Sequence, residues 1–216
     1  MSPKSIPEAQ SHLIVISGSV GAGKSTIAAL LSKALDDAPV LTFDHYEKFV
    51  QWPNDMQQWM QDGADPSGIR VPRLKDDLLA LLRGESIIYP LEDKVLQPAS
   101  YILLEEPSGR ERAEISELID LVIYLDAPQD ICVLRMIQRV LDMQSWMAKG
   151  TFAQETQEDL ARQLNAVAAW TTQYERARFM YMDVSRRVKG HADLIIDGMK
   201  CPDEITTEII TALKAM

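Results

Sequence analysis

The sequence predicts an α/β fold, a three-layer sandwich built on a five-stranded, mainly parallel sheet with a small hairpin and lid. Three observations lead there. Short apolar, β-branched runs recur along the chain, each long enough for a strand covered on both faces and too short for a buried helix. Amphipathic stretches of helical period separate them, the alternation expected of parallel strands joined by helical crossovers. The first apolar run leads directly into a glycine-rich string, Gly18-Ser19-Val20-Gly21-Ala22-Gly23-Lys24-Ser25, which opens a helix.

The elements follow in order. His12–Ser17 is the first strand, and Ile27, Leu30, Leu31 and Leu35 mark the helix behind it, up to an Asp-Asp-Ala-Pro stop. Val40–Phe43 is the second strand, ending in Asp44-His45-Tyr46. Residues 47–71 carry Trp52, Trp59, Pro53 and Pro66 and only a brief helical stretch around Asp55–Gln61. They read as a segment lying over a site. Pro72 opens a well-marked amphipathic helix for which Gly84 is the natural stop. Ser86–Tyr89 and Lys94–Gln97 flank a turn and suggest a hairpin. Tyr101–Leu104 is the third core strand, followed by a charged helix at about Arg110–Ile119. Leu121–Leu125 is the fourth strand, and helices are expected from near Pro128 and over about Glu155–Val184, where Trp146 and Met147 read as helix packing. Ala192–Ile196 is the last strand and Asp203–Leu213 the closing helix.

With 216 residues, 46% hydrophobic and 25% charged, the expectation is a single domain, 1–216, with ample core, in which residues 47–71 and about 142–180 form acceptor-side and lid segments. A net charge of −10 repels a polyanion, so nucleic acid is not an expected partner. No run approaches the roughly eighteen apolar residues of a membrane span, so no membrane partner is expected. Cys132 and Cys201 lie in no CxxC pair and near no histidine, which points away from a zinc site and towards a reducing compartment. The start, MSPKSIPEAQSH, lacks the apolar core of a signal peptide. The expected location is cytoplasmic, and a homo-oligomer is left open.

The glycine-rich string satisfies every fixed position of G-x-x-x-x-G-K-[ST]. Its glycines let successive backbone N–H groups turn towards phosphate oxygens, and the helix starting near Lys24 aims the positive end of its dipole at the same place. Gly18, Ser19, Gly21, Ala22, Gly23, Lys24, Ser25 and Thr26 are therefore candidate ATP-binding residues. Lys24 reaches the β- and γ-phosphates, Ser25 ligates Mg²⁺ and Thr26 meets the α-phosphate. No guanine-reading Asn-Lys-x-Asp string is present, which argues against a GTPase switch.

In an open parallel sheet, ligands sit beyond the carboxyl ends of the strands. Asp44, Glu105, Glu106 and Asp126 fall there. Phosphoryl transfer to a hydroxyl needs one carboxylate at the acceptor and one at the metal. Asp44 is the candidate for the first and Glu105 for the second, directly or through water, or else on the acceptor. Ser25, Asp44 and Glu105 make up the candidate metal set. Glu106 is expected to be solvated, and Asp126 to cap the next helix. Arg135 and Arg139, four apart, share one helix face and can offset charge on the nucleotide. The candidate catalytic set is thus Asp44, Lys24, Glu105 and Arg139. Arg110 and Arg112 could approach the acceptor, and Arg176 and Arg178 lie on the late helix. His45 could bond an acceptor. Trp52, Trp59 and Tyr46 could stack on one or form the lid's own core.

The order of the P-loop, Phe43-Asp44-His45-Tyr46, Gly63-Ala64-Asp65-Pro66, PRLKDDLLALLRGE and a proline-marked hairpin resembles the uridine kinase/phosphoribulokinase-like family. ILLEE, IDLVIYLDAPQDICVLRMIQR and GHADLIIDG extend the resemblance over most of residues 12–198. It implies a nucleoside-kinase-like P-loop NTPase fold and ATP-dependent phosphorylation of a hydroxyl on a nucleoside or related small molecule. It also implies the catalytic aspartate at Asp44 and the lid-proximal arginine at Arg139. Three departures stand out. Glu105-Glu106-Pro107 replaces the usual Glu-Gly, the hairpin is short and has no aromatic-His pair, and Val140-Leu141-Asp142-Met143 stands where a basic lid string is usual. The kinase reading survives these changes, but uridine as substrate does not follow. A nucleoside monophosphate kinase, with Arg70 and Arg73 as a weak basic cluster, and a regulatory ATPase without a small-molecule acceptor are the alternatives.

Overall fold

The computed structural model describes residues 11–91, 93–148 and 157–215. Its first half runs β1 (His12–Gly18), α1 (Lys24–Ala34), β2 (Val40–Thr42), α2 (Met56–Gln61), α3 (Pro72–Leu82) and a hairpin of β3 (Ile87–Ile88) and β4 (Val95–Leu96). The second half runs β5 (Tyr101–Glu105), β6 (Leu121–Asp126), α4 (Gln129–Ala148), α5 (Gln157–Gly190), β7 (Leu194–Asp197) and α6 (Pro202–Ala215). The main sheet has five strands in the order β2-β5-β1-β6-β7, and every pairing in it is parallel.

Alternation along each strand builds two apolar layers, because successive side chains leave opposite faces of a sheet. Leu13 and Val15 of β1, Ile102 and Leu104 of β5, and Val122 of β6 face one way, against Leu74, Leu78 and Leu81 of α3. Ile14 and Ile16, Leu103, and Ile123 and Leu125 face the other, against Ile27 and Leu31 of α1 and Ile205 and Ile209 of α6. A run that is apolar at every position is the sequence trace of a strand buried twice. Helix α3 begins with Pro72 in its first turn and ends as Gly84 takes φ +82, with the Glu85 N–H reaching back to the Ala80 carbonyl.

Strand β1 is central; the chain crosses from it to the edge strand β2, returns through β5 and then continues past β1 to β6 and β7. That reversal opens a crevice at the carboxyl edge of the sheet, where β1, β2 and β5 end in register: Ile16 pairs with Glu105, and Glu105 with Thr42. Both candidate carboxylates are thereby delivered to the end of the glycine-rich loop.

Two boundaries differ from expectation. No charged helix spans Arg110–Ile119; two short 3-10 turns, Gly109–Glu111 and Ser116–Leu118, stand there. The reason is that Arg112 is turned inward and buried, whereas a solvated amphipathic helix would have carried it outward. Helix α5 continues past Val184 to Gly190, because Val188 of its last turn packs into the core. Its expected start at Glu155 and the side chains of Trp146 and Met147 lie outside the described residues. The ends of segment 47–71 are pinned together by a bridge between Gln51 and Arg70. No helix among the described residues is long and apolar enough to cross a membrane.

Candidate active site

The glycine-rich loop joins the end of β1 to the start of α1. Gly18, Gly21 and Gly23 take φ of +146, +87 and +101, a region costly for any residue with a Cβ. At Gly21 space is closed as well, since a Cβ would stand 2.2 Å from the Cys132 carbonyl oxygen at the start of α4. Gly21→Ala is therefore expected to displace the loop and weaken ATP binding by roughly ten- to a hundredfold in a nucleotide titration. Unchanged affinity would mean that α4 yields to the methyl group.

Lys24 is buried, and its ammonium donates to the carbonyls of Gly18 and Ser19, each at 3.1 Å. Burial lowers its pKa, while Glu105 and then Asp44 pull it back up. The Ser25 hydroxyl donates to Glu105 Oε1 at 2.9 Å, tying the first turn of α1 to the end of β5. Arg135 and Arg139 project from one face of α4, and Arg135 also donates to the Gly198 carbonyl at 3.4 Å. These groups surround a cavity of about 450 Å³ whose lining includes Gly21, Lys24, Thr26, Glu105, Arg135 and Arg139.

A second cavity, about 420 Å³, opens on the other side of the loop, with Trp52, Trp59, Met60, Pro66, Met180 and Tyr181 in its lining. Asp44 lines both cavities, as do Val20 and Pro107. Asp44 thus borders both.

The neighbours of Asp44 are fixed on both sides. Tyr46 is fully buried and donates to Asp77 at 2.9 Å. Its phenol is held far above the ordinary range by burial first and by Asp77 second. His45 Nδ1 lies 2.6 Å from the Tyr89 hydroxyl, which also accepts the Thr42 N–H at 3.0 Å. Phe43 lies under the Arg112 guanidinium at 4.4 Å. A 3-10 turn over Phe43–Phe49 thus presents Asp44 from a backbone anchored at three side chains.

Glu106 is not solvated, as expected from sequence, but fully buried. Both its oxygens accept from Arg112 at 3.0 Å, and Oε1 also accepts the Ser108 N–H at 2.9 Å. The remaining arm of Arg112 donates to the Ile69 carbonyl at 3.0 Å, so this arginine braces the end of segment 47–71. The other sequence candidates have different partners. Arg110 pairs with Asp193, Arg73 with Asp77 and Arg70 with Glu114, which leaves no basic cluster at Arg70 and Arg73. Asp126 pairs with Lys189 rather than capping α4. Tyr46 points into the core and away from any stacking role, whereas Trp52 and Trp59 do line the second cavity. Arg176 and Arg178 are exposed on α5, where Arg178 lies over the Phe179 ring.

Helix α5 supplies a wall whose individual residues the sequence, read only as a lid segment over about 142–180, does not single out. Gln173, Ala177, Met180, Tyr181, Val184 and Ser185 recur at helical spacing and all line the second cavity. Burial and then the Asp44 charge raise the Tyr181 phenol. The spacing was present in the sequence, but a face mixing alanine, methionine and serine carries no chemical signature.

No protein-family model matches the chain. The uridine kinase of Escherichia coli K12 is 28% identical over 208 residues, covering 87% of this chain and 88% of that protein. The chain is similar to this uridine kinase over most of its length. A uridine kinase from Halobacterium salinarum is 27% identical over 140 residues, and that match spans 60% of this chain and 62% of that protein. One solved structure, a presumed fructose transport system kinase from Silicibacter sp. TM1040, aligns with 90% of this chain and 93% of its own at 20% identity and a TM-score of 0.48. That likeness is too loose to carry an argument.

Proposed function

We propose that the chain is an ATP-dependent phosphotransferase that moves the γ-phosphate onto a hydroxyl of a small molecule. The observation carrying this reading is the shared position of Asp44, which lines both the cavity of the glycine-rich loop and the cavity beyond it. A carboxylate between two compartments suits transfer from a donor in one to an acceptor in the other. A nucleotide regulator has no need of the second compartment.

In this mechanism Lys24 and the loop N–H groups hold the triphosphate, and Arg135 with Arg139 offsets charge developing on it. Asp44 orients the acceptor hydroxyl and accepts its proton. The acceptor oxygen forms the new bond to the γ-phosphorus as the bond from that phosphorus to the β,γ-bridging oxygen breaks, and ADP leaves. The hydroxyl of Ser25 and the carboxylate of Glu105, 2.9 Å apart, are hard oxygen donors of the kind suited to Mg²⁺, with Asp44 on the same cavity wall. Among the described residues no cluster of three or more His, Cys, Asp or Glu could hold a metal ion. Bound beside Ser25 and Glu105, Mg²⁺ would neutralise phosphate charge. Segments 47–71 and about 142–180 are the proposed acceptor-side and lid parts of one domain.

The test is ADP release with ATP and Mg²⁺ against nucleosides, vitamin alcohols, sugars and hydroxy acids, with product masses. One acceptor raising turnover far above the water-only rate and gaining a phosphate supports the reading. ATP binding with no stimulation by any acceptor favours a regulatory ATPase.

A further inference from the structure

The two cavities that share Asp44 differ in charge. Lys24, Arg135 and Arg139 line the first. Among the described residues lining the second, the one cation is Arg112, and it is already neutralised. Its Nε and Nη2 donate to Glu106, its Nη1 to the Ile69 carbonyl, its face covers Phe43, and it is 1% exposed. A phosphate or carboxylate on the acceptor would find no unpaired positive charge there and would share the space with Asp44. Burying an anion without a partner is strongly unfavourable.

Beyond Asp44 the polar side chains of the lining are few, chiefly Ser108, Gln173, Tyr181 and the hydroxyls of Ser19 and Ser185. The Ser19 hydroxyl lies 3.1 Å from that of Ser185, which in turn meets the Tyr124 hydroxyl, so these hydroxyls satisfy one another. A ligand carrying more hydroxyls or amides than Gln173, Tyr181 and Asp44 can pair would exchange water for an apolar wall. Apolar surface, in contrast, is in excess. Trp52, Met56 and Met60 stand 49%, 40% and 39% exposed at this cavity, an unusual concentration of large apolar side chains at the surface. With Trp59 and Tyr181 they offer ring faces and soft thioethers.

We propose that the acceptor is an uncharged alcohol with a largely apolar, ring-bearing body, and that phosphorylated, carboxylated and polyhydroxylated acceptors are rejected. This rests on the phosphotransferase reading, in which Asp44 takes the hydroxyl proton. The chemistry of the cavity selects against a nucleoside monophosphate and a free sugar alike, and disfavours a nucleoside, whose base edge and ribose offer more polar groups than the lining can pair.

Binding and turnover test the two readings separately. The full chain, with Mg²⁺ and a non-hydrolysable ATP analogue, is titrated calorimetrically with 2-phenylethanol, cyclohexylmethanol, uridine, uridine monophosphate and fructose. The expected result is saturable binding of the two apolar alcohols at least about tenfold tighter than of the other probes. Ala177→Asp, which adds a carboxylate to the α5 wall, is expected to weaken the alcohols about tenfold. Trp52→Ala, at an exposed side chain, provides a second variant should the first fail to fold. Tighter binding of uridine, its monophosphate or fructose, or no binding of either alcohol, overturns the inference. Alcohols that bind yet never stimulate ADP release support the cavity's chemistry and sink the transfer reaction.

Discussion

Asp44→Asn is expected to lower phosphoryl transfer by about 10²–10⁴-fold while ATP affinity stays close to that of the parent. The amide keeps the size and most of the hydrogen-bonding capacity of the carboxylate but cannot take up the acceptor's proton. The surrounding backbone should not move, because Phe43 is held under Arg112, His45 beside Tyr89 and Tyr46 by Asp77. The variant therefore isolates the chemistry from the fold. It should be assayed with the acceptor that stimulates the parent most strongly, following ADP release and, separately, nucleotide binding. A rate within a few-fold of the parent would remove Asp44 from the role of base and leave Glu105, which holds Ser25, as the next carboxylate to test.

The second large effect is on stability. Glu106→Ala is expected to cost about 3–5 kcal/mol in urea unfolding, because it leaves the Arg112 guanidinium buried without its counter-charge. Side chains 2% and 0% exposed get little help from water. The double variant Glu106→Leu with Arg112→Met should recover most of that loss, since two apolar groups of similar volume create no unpaired charge. Yet it should still impair acceptor binding, because the Ile69 carbonyl and the Phe43 ring both lose their brace. Equal stability of the single and double variants would show that charge burial is not the dominant cost at this pair.

These two sites mark the reach of sequence reading. The glycine-rich loop announces itself because phosphate binding demands fixed residue types at fixed spacing, and β1, β5 and β6 do so because a strand buried on both faces must be apolar throughout. Asp44 and Glu105 could be placed once the strands ending just before or at them were known. Glu106 and Arg112 could not. A paired buried charge and a solvated charge are spelled with the same letters, and only the tertiary position of the turn at Gly109–Glu111 tells them apart. Tyr46 was open to a stacking role for a similar reason, because its partner Asp77 lies on a different element, α3. The wall given by α5 was hidden by distance, since Tyr181 lies far along the chain from the Asp44 it faces across the second cavity.

The close approach of Gly21 to α4 has a consequence for which substitutions the loop tolerates. What occupies the space a side chain at 21 would need is the peptide oxygen of residue 132 and not the thiol. Position 21 is therefore closed to any side chain by the main chain of α4, whatever side chain stands at 132. The thiol has its own place in the apolar layer beneath the sheet, and exchanging it would tax packing alone. No exchange of the side chain at 132 would open position 21 to anything but glycine.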